Sequence, residues 1–226
     1  MNILVICAHP DDEVLGCGGT IARHTAGGDK VTLSFLTDGE SARSTMTAER
    51  VKNRRKAAEA AASILGASAT EFAQFPDNQL DTVPLLDLAR HVEELGFNYA
   101  PDTVYTHHGG DLNVDHRLVF QAVLTAFRPL GADPSVESIL SFEVPSSTEW
   151  SSPEIGSDFV PNHFVDISQT LDRKMAALDA YRDELRPFPH PRSSEALRAL
   201  AAWRGANAGV KAAEAFMLAR RIIHAK

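Results

Sequence analysis

Residues Asn2–Ala8, NILVICA, form an apolar run without polar alternation, followed at once by the polar HPDDE. A strand with one wet face alternates apolar and polar residues. A strand apolar throughout is buried on both faces, which requires a parallel sheet with helices on either side. The first half of the chain has that form. Helical spacing covers Val14–Ala26 and ends in Gly27-Gly28. Val31–Thr37 reads as a second strand, Ala48–Leu65 as an Ala-rich helix stopped by Gly66, and Thr70–Phe75 as a third strand. Leu85–Leu95 is an amphipathic helix and Pro101–His107 a fourth strand. Strands and helices in alternation predict an α/β fold: a Rossmann-like, doubly wound, mostly parallel sheet flanked by helices.

The second half is less regular. It reads as a helix at Leu118–Phe127, a strand at Ser138–Val144, the polar loop SSTEWSSPEIGSD, and a helix at Ser168–Leu185. The Pro-rich RPFPHPRS and a final Ala-rich helix to the end follow. The ~40 residues after the Pro-rich break are too few for an independent core. Residues 1–226 are therefore expected to be one domain, with the loop folded back over it.

Composition narrows the functional classes. The net charge of −8 opposes binding to duplex nucleic acid or an anionic membrane. No apolar stretch approaches the roughly 20 residues of a membrane span, and MNILVICAHPDD lacks a signal peptide's basic region and cleavage site. A cytoplasmic protein is expected. The two cysteines, Cys7 and Cys17, form no CxxC pair, so any metal must be held by histidine and carboxylate.

Such groups gather where strands are predicted to end, the rim on which doubly wound sheets bind ligands. After the first strand comes His9-Pro10-Asp11-Asp12-Glu13. Pro10 favours an extended backbone at His9, and Asp11 or Asp12 can cap the following helix. Read alone, DDE is as well explained by a helix cap, with Glu13 completing a capping box. Imidazole plus carboxylate, however, is also the ligand set of a catalytic zinc site. Such a site has three protein ligands and an open position, and His9 with Asp12 offers two. After the fourth strand, THHGGDLNVDHRLV can deliver the third through Asp115-His116, unless Asp115 merely caps a helix.

AHPDDE together with the distal DH resembles the PIG-L/LmbE-like family of zinc-dependent N-deacetylases. TDGE (Thr37–Glu40), FPDNQLD (Phe75–Asp81) and GVKAAEAF (Gly209–Phe216) also look like family landmarks, so the resemblance spans nearly the whole chain. It implies His9, Asp12 and His116 as zinc ligands and Asp11 as the base that deprotonates the zinc-bound water. The substrate implied is an N-acyl amino sugar or its glycoconjugate, with acetate and a free amine as products. The same donors tolerate iron, cobalt or manganese. The resemblance also hints at a homo-oligomer.

One departure stands out. The family often carries HPDH at the second motif, whereas this chain reads Asn113-Val114-Asp115-His116. Asn113 can donate a hydrogen bond but transfers no proton, so its catalytic part is electrostatic or has moved to His107, His108 or His190. Asp115 is expected to orient a histidine. Arg55 either holds a substrate hydroxyl or phosphate or belongs to a solvated helix face. Asp77 either accepts bonds from sugar hydroxyls or shapes a turn. His190 and Arg192 lie in a rigid loop that could close over the rim, and proline stiffening alone explains that loop nearly as well.

The cluster GCGGT fails the dinucleotide pattern GxGxxG, which needs glycine where Ile21 stands, and its glycines are expected to allow close helix packing. The alternative to a deacetylase keeps the metal site but hydrates a small carboxylic acid. A non-catalytic binding module leaves Asp11 without a task.

Overall fold

The computed structural model describes residues 1–130 and 136–223. Seven strands form one sheet in the order β3-β2-β1-β4-β5-β7-β6. They are β1 (Asn2–Cys7), β2 (Lys30–Thr37), β3 (Ala69–Phe75), β4 (Thr103–His107), β5 (Ser138–Phe142), β6 (His163–Asp166) and β7 (Ala213–Arg221). Pairing is parallel from β3 to β5, and β7 runs antiparallel to both β5 and β6. The helices are α1 (Asp12–Ala26), α2 (Ala48–Leu65), α3 (Leu85–Tyr99), α4 (Val114–Ala126), α5 (Leu171–Leu178) and α6 (Ser194–Ala208).

The unalternating β1 divides between two cores. Ile3, Val5 and Cys7 pack with α1 and α2 residues such as Val14, Ala58 and Leu65. Leu4, Ile6 and Ala8 pack on the other face with Leu88 and Val92 of α3 and Val119 and Val123 of α4. The crossover side reverses between β1 and β4, and this switch opens a crevice at their carboxyl ends. The turn into α1 and the loop into α4 both begin there.

Three elements differ from the sequence reading. The expected terminal helix stops at Gly209, which takes a left-handed φ of 71°, and Ala213–Arg221 becomes β7. Helix propensity is a weak prior, and burial of Ala213–Phe216 between β5 and β6 overrides it. Residues 224–226 of that expected helix lie outside the described residues. The helix expected over Ser168–Leu185 is confined to α5 and a 3-10 turn at Asp179–Tyr181. The helix expected from Leu118 starts instead at Val114, behind an Asn113 cap.

The glycine cluster follows a break in α1. Cys17 has a non-helical φ of −145°, and Glu214 of β7 accepts hydrogen bonds from the freed N–H groups of Gly19 (2.9 Å) and Thr20 (2.6 Å). A Cβ on Gly16 would lie 2.3 Å from the Phe142 ring, so only glycine lets α1 pack this closely on the β5 side chain. Among the described residues no helix is long and apolar enough to cross a membrane.

Candidate active site

The turn after β1 holds its side chains by backbone bonds. Asp11 adopts φ 123°, a left-handed conformation costing a non-glycine residue on the order of 1–3 kcal/mol. Its N–H donates to Glu13 Oε2 at 3.0 Å, and its carbonyl accepts from Val14 and Leu15. The start of α1 is therefore secured without the Asp11 carboxylate, which makes no capping bond. Asp12 Oδ2 accepts from the His9 N–H at 2.8 Å.

His9, Asp12 and His116 converge, all buried. His9 Nδ1 lies 3.2 Å from Asp12 Oδ2 and 3.3 Å from His116 Nε2, and His116 Nε2 lies 3.5 Å from Asp12 Oδ2. A tetrahedral ion with bonds of about 2.0 Å has ligand–ligand edges of about 3.3 Å. The donor set fits a divalent metal in both chemistry and spacing.

Each imidazole turns its second nitrogen to a carboxylate. His9 Nε2 is 3.2 Å from Asp115 Oδ2 and 3.3 Å from Asp77 Oδ1, and His116 Nδ1 is 3.1 Å from Asp111 Oδ1. The hydrogen bond to Asp115 fixes the tautomer and ring plane of His9, and Asp111 sets a negative charge against the His116 ring. His9, Asp77 and Asp115 form a second cluster with metal-like spacing. Its carboxylates already accept N–H bonds: Asp115 from Asn78 (2.7 Å) and Leu80 (3.0 Å), Asp77 from Ala42 (3.1 Å). That pattern suits a scaffold for His9 better than a second ion.

Charge is concentrated in this crevice. Burial opposes ionisation of Asp12, yet the His116 and His107 imidazoles hold its carboxyl well below the usual range. Burial also opposes charging of His9, but hydrogen bonds to Asp115 and Asp12 raise its pKa to about 10. His116 is raised to about 9 against its burial by Asp12 and Asp111. An acidic enclosure that stabilises protons on its histidines also favours a cation in their place.

Asp11 sits beside this cluster. Burial pushes its carboxyl up, and the guanidiniums of Arg54 and Arg192 pull against that. Arg54 Nη2 and Arg192 Nη1 approach Asp11 Oδ2 at 3.2 and 3.1 Å. Glu184 balances Arg54 from the far side at 2.7 Å. Glu13, behind the turn, accepts from the Tyr181 hydroxyl at 2.7 Å, and burial pushes its pKa up to about 8.

Several residues proposed from sequence stand elsewhere. His107 is fully buried; its Nε2 accepts from the Ala8 N–H at 2.8 Å and its ring stacks on His116 at 3.9 Å. It supports the donor cluster from behind and cannot meet a substrate. His108 is turned to the Ser157 carbonyl at 2.7 Å and packs against Phe159. His190 packs edge-on to Trp150, and its Nδ1 accepts from the Arg192 N–H. Asn113 caps α4 by accepting from the Asp115 N–H at 2.8 Å, and its Nδ2 donates to Asn78. Asp77 faces His9 inside the fold instead of the open rim.

Arg55 pairs with Glu59 at 3.2 Å and lies over the Phe72 ring. It borders a cavity of about 390 Å³ with Pro10, Thr37, Asp38 and Gln74, beside the donor cluster but not on it. The α2 arginine that reaches Asp11 is its neighbour Arg54. Sequence reasoning also missed Asp111, in the GGD that precedes the second motif.

Comparison with known proteins places the chain in a family. Residues 4–127 match the family model PIG-L, described as GlcNAc-PI de-N-acetylase. The chain is 31% identical to the uncharacterized deacetylase YaiS of Escherichia coli, over 80% of this chain and 90% of that protein. It is 34% identical to 4-oxalmesaconate hydratase of Pseudomonas putida, over 78% of this chain and 71% of that protein. Among solved structures, the conserved protein TT1542 of Thermus thermophilus is 30% identical with a TM-score of 0.77, covering 100% of this chain and 97% of that one. With a family match over more than half its length and 31% identity to a deacetylase across most of both chains, the chain belongs to the PIG-L family of deacetylases.

Proposed function

We propose that the chain removes the N-acetyl group from an amino sugar or its glycoconjugate as a single catalytic domain over residues 1–226. The reading includes a zinc ion held by His9, Asp12 and His116 and a cytoplasmic protein acting on small molecules. The observation that carries it is the meeting of three donor atoms 3.2–3.5 Å apart with the buried Asp11 carboxylate beside them.

A divalent ion held by His9, Asp12 and His116 would supply Lewis acidity to an amide carbonyl and make water more acidic. Asp11 takes the proton of the attacking water and returns it to the nitrogen as the C–N bond breaks. Its burial raises the carboxyl toward the working pH, where a general base is most effective. Asp115 and Asp77 hold the His9 ring in place for this step. The cavity beside the donor cluster, bordered by Arg55, would receive the rest of the substrate.

The similarity to a hydratase supports a second reading on the same donors, water addition to an unsaturated dicarboxylate. Acetate release from N-acetylglucosamine and its conjugates, assayed beside hydration of such a dicarboxylate, separates the two. Asp11→Asn is expected to keep its metal and lose about 10²–10⁴-fold in deacetylation rate. His116→Ala is expected to lose the metal. Hydration without acetate release, or full activity in Asp11→Asn, overturns the reading.

A further inference from the structure

The loop Arg186–Ser193 carries Arg192 to the turn after β1. Its Nη1 donates to Asp11 Oδ2 at 3.1 Å, and its Nε donates to Ser146 Oγ at 2.7 Å. Arg54 reaches the same Oδ2 at 3.2 Å. Both guanidiniums therefore make their nearest approach to one oxygen of Asp11, and the side-chain hydrogen bond from Arg192 is received there. Ser146 lies in a tight turn with φ 68°, and the next two residues of that turn, Ser147 and Thr148, donate to Asp111 behind His116. One tripeptide thus braces both halves of the site.

We propose that Arg192 is a positioning residue for Asp11: seated on Ser146, it fixes Oδ2 so that Oδ1 is the oxygen left for proton transfer. This rests on Asp11 being the base of the proposed deacetylation. It gives Arg192 a different task from the substrate contact expected from sequence, because its guanidinium is already committed to Asp11 and Ser146. Arg54 is a buried residue of α2, whereas Arg192 reaches Asp11 from the loop before α6, so two separate elements hold the same carboxylate.

The test is a double-mutant cycle on the metal-loaded protein. Arg192→Ala is expected to lower kcat about 10- to 100-fold with KM within about twofold, as misplacement of a reacting group does. Added guanidinium ion restores part of that loss. Arg192→Lys recovers less than full activity, since an ammonium keeps the charge but lacks the fork. Ser146→Gly relaxes the left-handed turn while removing the hydroxyl, and shows a smaller fall in kcat of the same kind. In an Asp11→Asn background, Arg192→Ala has no further effect on rate, and urea denaturation of the same four proteins shows coupling between the two sites. A raised KM with unchanged kcat, or additivity in both cycles, overturns the proposal. Absence of acetate release by the wild type overturns the deacetylase reading instead, and the denaturation cycle then decides alone whether Arg192 holds Asp11.

Discussion

His116 presents Nε2 to the donor cluster while its Nδ1 lies 3.1 Å from Asp111 Oδ1; the Ser147 hydroxyl donates to that same oxygen and the Thr148 hydroxyl to Oδ2. Burial works against the Asp111 charge, but His116, Ser147 and Thr148 hold its carboxyl well below the ordinary range. A fixed anion behind a ligand imidazole sets the ring plane and strengthens the donor. Asp111→Asn keeps the volume and removes the charge, so metal affinity is expected to fall about 10- to 100-fold. Competition with a chromophoric chelator measures this directly, and unchanged affinity would leave Asp111 with only a loop-bracing role.

Glu184 ties stability to pH. It pairs with Arg54 at 2.7 Å and Arg43 at 2.8 Å, and against its burial these guanidiniums hold its carboxyl below the ordinary value of 4.5. With a depressed folded pKa, its stabilising contribution is full above the unfolded value and is lost as pH falls below about 4.5. Glu184→Gln is expected to melt below wild type at pH 7, with the gap closing under acid. Melting curves from about pH 7 down to about pH 3.5 check the trend, and a gap that widens in acid contradicts it.

Much of this arrangement was legible because period and composition agreed. NILVICA could only be a doubly buried strand, and the two polar motifs after β1 and β4 met at the switch point that strand order dictates. Arg54 was readable in principle: with Ala58, Ala61 and Leu65 it makes the buried face of α2, which puts Arg55 outside. The Ala and Glu content of AEAFMLARR concealed β7, because its burial depends on a strand gap that only the assembled sheet creates. Asp111 was harder to single out, since the hydroxyls that hold its carboxylate, those of Ser147 and Thr148, lie 36 and 37 residues away.

Asn113 stands where the resemblance implies a histidine, and its side-chain oxygen is occupied as the cap of α4. Asn113→Ala is expected to cost about 1 kcal/mol of stability, the usual worth of a lost cap. Metal content and kcat are expected to change little. Chemical denaturation and metal analysis read the first two outcomes. A fall in kcat beyond about tenfold in a protein that still holds its metal would make Asn113 a direct donor to the reacting carbonyl.

Glu214 links the last strand to the first helix. It takes the N–H groups that the Cys17 break frees at Gly19 and Thr20, and its Oε1 lies 2.6 Å from the buried Lys174 Nζ, which also donates to the Leu15 carbonyl. Glu214→Ala strips all three donors of their acceptor at once. Breaking one side of a buried pair typically costs about 3–5 kcal/mol, because the remaining charge is left without compensation. A loss of about that size is expected in urea denaturation. Lys174→Met with Glu214→Gln is expected to be milder, since the amide still accepts from one N–H and no lone charge remains. Because α1 begins at Asp12, the single variant should also weaken metal binding, whereas the double variant retains it. Equal stability of the two variants would show that the backbone bonds, and not the buried lysine, set the cost.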